Sequence, residues 1–481
     1  MTDPHIAAEE RSPVAAGVPG RDGDTPPGSP TAAMWAAVLG FFVITLDTLV
    51  VNVALPSIRA ELGGGITGLQ WVIDGYTLMF AALLLPAGAL SDRVGARRTF
   101  AVGTVVFVVS SVGCGLAPAM GALVAARVLQ GTGAALMTPS SLALLREAFP
   151  DPVERGRAIT LWTISGSVAA ATGPLVGGSL NLISWRAIFF INLPVGAVAL
   201  LLLSRAARSP RRAAPTDVVG QVAAVVATGT LMYGVIEAGA RGFGTTSVVL
   251  ALLTAAAALA ILIASQARGQ HPMVPRDVYR SRAVALASGT GFAFIAAWYG
   301  VVFLFSLYLQ QDRGLSSFTA GLVFVPTTVL SGFVSLLTAW LIRRFGPRVP
   351  IVGGMSLMGA GLVVLATLPA AAPAWLIAVL IIPIGICGPL AMQPTTGVLL
   401  QSVPAHRAGV AGGVFNTSRQ LGGALAVAVF GALVANTAQV LNGLRESLVI
   451  AAAVAVAAAV ANLLAKPNHN TAAPTGSSRP A

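Results

Sequence analysis

Charge is scarce in this sequence: 10% of its 481 residues are Asp, Glu, Lys or Arg, while 56% are hydrophobic. A soluble domain carries roughly 25% charged residues, so this chain cannot clothe a water-facing surface of its length. Lysine is nearly missing, with Lys466 standing alone. No G-x-x-x-x-G-K-[ST] string is present, so ATP drive within the chain is not expected. Cysteine is almost as rare. Cys114 and Cys387 lie in apolar blocks, where the residue packs as a small hydrophobe. The four histidines, His5, His271, His406 and His469, are scattered through polar segments. None of these makes a metal or redox spacing. With no nucleophile–base constellation either, the sequence does not read as an enzyme, and neither a metal nor an organic cofactor is expected.

What is abundant is apolar sequence in blocks of roughly 20 residues, the length a helix needs to cross about 30 Å of hydrocarbon. Backbone groups in lipid must be satisfied internally, which favours helices; the ten-residue alternation of a membrane β-barrel is missing. Spans are predicted near 33–55, 68–90, 98–117, 121–147, 157–181, 187–204, 217–237, 246–266, 283–310, 316–342, 349–369, 373–399, 406–433 and 445–465. The expected fold is therefore all-α and integral to the membrane, with about fourteen helices. Residues 1–30 are rich in Pro, Gly, Asp and Glu without an apolar run, and read as a disordered tail rather than a signal peptide. Residues 466–481 read the same way.

The net charge of +12 does not imply nucleic acid, because the arginines sit between spans rather than on one soluble face. Segments holding Arg93, Arg97, Arg98, Arg146, Arg155, Arg157, Arg205, Arg208, Arg211, Arg212, Arg276, Arg343, Arg344, Arg348 and Arg407 alternate with poorer ones holding Arg59, Arg186, Arg241, Arg313 and Arg445. Cytoplasmic loops carry the Lys/Arg excess. The expectation is a multi-pass protein of the inner (plasma) membrane with both termini cytoplasmic. Arg127 and Arg419 belong to neither set, since each lies inside a span.

An internal repeat organises the chain. Arg93-Val-Gly95-Ala-Arg97 recurs as Arg344-Phe-Gly346-Pro-Arg348, and Met137-Thr-Pro139-Ser-Ser as Met392-Gln393-Pro394-Thr-Thr. Nearly equal offsets predict two related six-helix bundles, 31–204 and 283–465, joined by a 205–282 linker holding two extra spans.

Several strings carry chemistry. Asp47, in Leu46-Asp47-Thr48-Leu-Val-Val-Asn52, is a carboxylate inside span 1, and an ionisable group at such a place marks a functional site by default. Arg127 in span 4 costs roughly 2.5–3.5 kcal/mol to insert and should face a cavity or a carboxylate, with Gln130 on the same wall. Gly88-Ala-Leu-Ser-Asp92-Arg93-Val-Gly95-Ala-Arg97 joins spans 2 and 3; Gly88 should allow close helix approach and Gly95 a tight turn. Gly173-Pro174-Leu-Val-Gly177-Gly178 in span 5 combines a helix-kinking proline with small packing residues. Asn416 and Arg419 form a second buried polar patch in span 13. Trp298, Tyr299 and Gln393 are further candidates to line a substrate cavity. Asp74 is expected near the outer interface, and Glu237 away from the centre.

Together these strings, with Trp185-Arg186-Ala-Ile-Phe189-Phe190-Ile-Asn192-Leu-Pro194-Val-Gly196 and Phe415-Asn416-Thr-Ser-Arg419-Gln420-Leu-Gly422-Gly423, resemble the fourteen-span drug:proton antiporters of the major facilitator superfamily. The resemblance covers about residues 33–450; Ala96 departs from it where the family has a basic residue. It implies a proton-coupled antiporter that exports small amphipathic drugs, antibiotics or related metabolites by alternating access. Protons are then the coupling ion and a small lipophilic molecule the substrate, with the bilayer around a monomer. It implies proton coupling by Asp47 and Arg127, and a conformational gate at Gly88, Asp92, Arg93, Gly95 and Arg97. Gly173, Pro174, Gly177 and Gly178 become the antiporter motif. The Trp185–Gly196 string reads as structural. Other readings are a proton-coupled importer of a small metabolite, or a non-transporting membrane sensor or scaffold.

Overall fold

The computed structural model describes residues 28–210, 217–268, 278, 280–369, 371–403, 408–436 and 440–465. The predicted tails 1–30 and 466–481 fall almost wholly outside these residues, as do the four histidines, Arg211, Arg212, Arg276 and Arg407. Among the described residues there is no strand.

In chain order the helices are α1 Pro30–Leu62, α2 Gly65–Val94, α3 Ala96–Gly115, α4 Met120–Ala148, α5 Pro152–Asn181, α6 Ala187–Ser204, α7 Val218–Arg241, α8 Thr246–Arg268, α9 Arg282–Asp312, α10 Ser317–Phe345, α11 Arg348–Ala366, α12 Ala374–Gln401, α13 Ala408–Asn436 and α14 Val440–Leu464. Twelve are long and apolar enough to cross a bilayer, and α2 and α5 bring the number to 14 when each bent pair is one span. The bends are 56° in α2, before Pro86, and 45° in α5, before Pro174. A proline has no N–H for the carbonyl four residues back and crowds it, which accounts for a break at each place. A π-turn closes α9 at Tyr308–Asp312 and another interrupts α12 at Gly388–Met392, just before Pro394.

Helices α1–α6 pack on one another, and so do α9–α14. The two sets meet along α2–α13 and α5–α10. The extra pair is placed asymmetrically: α7 lies against both α2 and α13, and α8 packs on α7. Lipid supplies no hydrophobic drive between helices, so close backbone approach does the work. A Cβ on Gly133 of α4 would lie 2.6 Å from Phe107 N of α3, and one on Gly422 of α13 would lie 2.5 Å from Phe292 O of α9.

The end that carries the 63–64 and 313–316 turns is here called distal, and the end with the described chain termini is called terminal. In the distal half the two sets are bonded together. Arg59 donates to Gln311 at 3.0 Å, Gln310 to Val53 O at 3.0 Å, and Gln70 to Ala428 O at 2.7 Å. At the terminal end Asp92 and Arg93 are exposed and make no ion pair among the described residues. The terminal halves of α5 and α10 expose Ile164 and Phe333. The two sets are thus tied to one another in the distal half.

Candidate functional site: a buried ion pair between α1 and α4

Asp47 sits about midway along α1, and Arg127 reaches it from α4. Arg127 Nη1 lies 2.5 Å from Asp47 Oδ2, with both residues 1% exposed. Nothing in hydrocarbon would solvate either charge, so every remaining polar atom needs a partner. The surrounding helices supply them. Gln130, one turn beyond Arg127 on α4, donates to Asp47 Oδ1 at 2.9 Å and accepts from Arg127 Nη1 at 2.8 Å. Asn192 donates to the same Asp47 oxygen at 2.8 Å. Arg127 Nε reaches Val72 O of α2 at 2.9 Å, and its guanidinium lies over the Tyr76 ring, 4.3 Å from the centroid. Ser111 of α3 accepts from both Asn192 and Gln130 and donates to Phe189 O at 2.8 Å. Five helices, α1, α2, α3, α4 and α6 through both its segments, therefore converge on one carboxylate–guanidinium pair.

The structure brings Asp47, Arg127 and Gln130 together. Ser111 is not among the sequence candidates, Tyr76 is expected there only as one of several possible cavity-lining aromatics, and Asn192 only as part of the Trp185–Gly196 string. Asn192 corrects the reading of the Trp185–Gly196 string as purely structural. Its first part is structural: Trp185 Nε1 and Arg186 Nη1 each lie 2.6 Å from a Glu61 oxygen at the distal end of α1. Its asparagine, however, belongs to the ion-pair network. The available signal was a carboxamide next to the break that precedes Pro194, inside an otherwise apolar helix.

The other candidates lie apart from this centre. Asn52 is buried, but its amide bonds back to Thr48 O at 3.0 Å on its own helix. Arg419 donates to Asn416 at 3.3 Å and lies over Phe415, with no carboxylate partner among the described residues. Tyr299 packs on Gly423, and Trp298 stands edge-on to Phe324 at 6.4 Å. Gln393 is exposed, just past the π-turn of α12. Asp74 is not at a solvated interface: it is 0% exposed, and neither carboxylate oxygen has a hydrogen-bond partner among the described residues. It lies on the α2 stripe of Gln70, Thr77 and Leu78, which faces α13 and α7. Glu237 pairs with Arg241 along α7 at 3.0 Å.

The glycine strings separate by role. Gly95 ends α2 with φ 99°, as the tight turn requires. Gly88 is not in a close approach, since an added Cβ would meet only Pro139 Cβ at 3.8 Å. In α5, Gly173 and Gly177 seat on Leu49 and Val50 of α1, while Gly178 seats on α10, where a Cβ would lie 2.8 Å from Ser317 O. Pro174 supplies the carbonyl against which Gly321 of α10 packs. The string thus has one side on each helix set.

The same architecture occurs in known proteins. The family model described as Major Facilitator Superfamily matches residues 37–427. The chain belongs to that superfamily. It is a transporter rather than an enzyme. It is 37% identical over 406 residues to the multidrug resistance protein Stp of Mycobacterium tuberculosis, covering 83% of this chain and 75% of that one. It is 36% identical over 415 residues to the tetracenomycin C resistance and export protein of Streptomyces glaucescens, covering 85% and 77%. The solved D-xylose–proton symporter superposes with a TM-score of 0.65 at 16% identity, covering 91% of this chain and 98% of that one, a likeness of fold alone.

Proposed function

We propose that this transporter exports small amphipathic drugs, antibiotics or related metabolites in exchange for protons, by alternating access of the two bundles 31–204 and 283–465. The observation that carries the coupling is the Asp47–Arg127 pair, a carboxylate held by donors from three directions and sealed from solvent in this state. Protonating Asp47 cancels the attraction and leaves Arg127 as a lone buried cation, an arrangement that costs several kcal/mol unless the helices move. Proton entry and helix movement are thereby tied to one another. One proton crossing 100 mV supplies about 2.3 kcal/mol, enough for roughly a fiftyfold gradient of a neutral solute. Export rather than import is supported by the Gly173–Gly178 string and by relatives named for resistance and export. The substrate enters from the cytoplasm or inner leaflet in a terminally open state. The protein works as a monomer in the inner membrane with both termini cytoplasmic, and Asp92 with Arg93 forms the gate that closes the terminal end, while Arg97 holds the end of α6 beside it.

The test is transport in proteoliposomes under an imposed pH gradient, screening lipophilic cations and antibiotics. Wild type should move at least one of them only when the gradient is present, and Asp47→Asn and Arg127→Ala should abolish the gradient-driven component. Wild-type coupled flux in both variants would refute the assignment.

A further inference from the structure

At the terminal end, a groove of about 550 Å³ opens between the first turns of α3 and the last turns of α6, lined by Arg97, Arg98 and Arg208 together with Ser204, Ser209 and Leu203. Its arginines are not equivalent. Arg97 is spent on structure: Nε donates to Leu203 O at 3.0 Å and Nη2 to Ser204 O at 2.8 Å, which neutralises the carbonyl end of α6. Ser209 is likewise engaged, accepting from Arg97 N at 2.9 Å and donating to Glu147. Arg98 and Arg208 are exposed and have neither a hydrogen bond nor an ion pair among the described residues. Two guanidiniums without a partner among the described residues therefore flank a concavity, while Glu147 accepts from Ser209.

The walls below this basic mouth are apolar. Val102 and Val105 of α3 and Leu201 of α6 are 55%, 48% and 68% exposed, one or two helical turns from the lining residues Arg98, Ala101 and Ser204 and so on the same side of each helix. A soluble anion has no use for such walls, while a molecule with an anionic head and hydrocarbon tails fits both parts. Basic pockets between membrane helices hold acidic headgroups in this manner. We propose that the groove is a binding site for an anionic phospholipid, its phosphate between Arg98 and Arg208 and its acyl chains along Val102, Val105 and Leu201. With the orientation proposed above, the lipid comes from the cytoplasmic leaflet. The occupied groove would lie beside the Gly95 turn and so weight the gate by the lipid content of the membrane.

Native mass spectrometry of the purified transporter with phosphatidylglycerol or phosphatidylcholine tests this. Wild type should retain phosphatidylglycerol selectively, and inorganic phosphate at the same concentration should not displace it. Arg98→Ala with Arg208→Ala should lower that affinity roughly thirtyfold, equivalent to about 1 kcal/mol per guanidinium. Arg98→Lys with Arg208→Lys should bind within about threefold of wild type, separating charge from misfolding. Arg343→Ala with Arg344→Ala, the same loss of charge elsewhere on that end, should leave binding intact. The proposal fails if the two lipids bind equally, if phosphate displaces the lipid, or if both alanine pairs weaken binding alike.

Discussion

Asn192 donates through one amide nitrogen to both Asp47 Oδ1 and Ser111 Oγ, each at 2.8 Å, so the break in α6 fixes the carboxylate of α1 against α3. Asn192→Leu removes a donor from a buried carboxylate while keeping a similar volume. A buried group left short of a partner costs about 1–3 kcal/mol, so thermal unfolding in detergent should shift down, and gradient-driven flux should fall. Asn192→Asp should be worse on both counts, because it sets a second carboxylate beside the first. If Asn192→Leu behaved as wild type in both assays, the network would end at Gln130.

The ion pair itself makes a sharper expectation. Removing one partner of a buried pair costs about 3–5 kcal/mol, because the other charge is stranded, whereas removing both is close to neutral. Asp47→Asn and Arg127→Gln should each be severely destabilised, and the double variant should recover most of the loss. Recovery of stability must not bring back proton-driven flux, since the titrating group is gone. A double variant that folds and still concentrates substrate against a gradient would remove Asp47 from the coupling mechanism.

Asp74 poses the opposite case, a buried carboxylate with no partner to strand. Trimming a polar group that finds no hydrogen bond relieves a desolvation cost of about 1–3 kcal/mol, so Asp74→Ala should raise the unfolding temperature. Groups kept at such a cost are concentrated at working sites, and the same variant is expected to transport more slowly. Reduced stability together with normal flux would mean that the carboxylate is a packing element whose partner lies among residues not described.

These residues also mark where the sequence was legible. Asp47 and Arg127 stood out because charge inside an apolar block is expensive and must be explained, and Gln130 followed as a neighbour one turn away. Asn192 carries no charge, so a carboxamide beside a helix break marks the place without saying that it points at α1. The place of Asp74 near the start of its apolar block suggests easy solvation, which the structure does not give it. Its burial comes from α13 and α7 closing over one stripe of α2, a tertiary fact. The helices themselves were readable, since hydrocarbon leaves the backbone no other choice; the seating of α7 across the α2–α13 seam was not.

Gly178 offers a test of the distal seam between the two sets. An added side chain would meet backbone atoms of α10, Ser317 O at 2.8 Å and Phe318 Cα at 3.0 Å, and backbone yields less readily than a side chain. Gly178→Val should therefore push the α5–α10 seam apart and favour a distally open state. The native cysteines are buried, so a cysteine placed at Ser317, buried at the seam in this state, can report through a membrane-impermeant maleimide. Labelling should rise severalfold over the same probe in the Gly178 background, while substrate export falls. Unchanged labelling would show that the seam accommodates the larger residue without opening.

The sequence repeat predicts a final comparison, because its two arginines hold corresponding positions. Arg97 bonds the carbonyls of Leu203 and Ser204 at the end of α6, and Arg348 donates through Nε to Asn462 O at 3.1 Å near the end of α14. Each follows a glycine with positive φ, Gly95 at 99° and Gly346 at 75°, which turns the chain so that the next helix starts with its arginine beside the closing helix of the same set. A cation at a helix C-terminus contributes about 0.3–1 kcal/mol, and up to ~2 kcal/mol when partly buried. Arg97 makes two such bonds and Arg348 one. Arg97→Gln should therefore cost more than Arg348→Gln in thermal unfolding. The sites share no partners, so the double variant should show the sum of the two losses to within about 0.5 kcal/mol. A marked excess over that sum would mean that the two helix sets unfold as one cooperative unit coupled through their terminal ends.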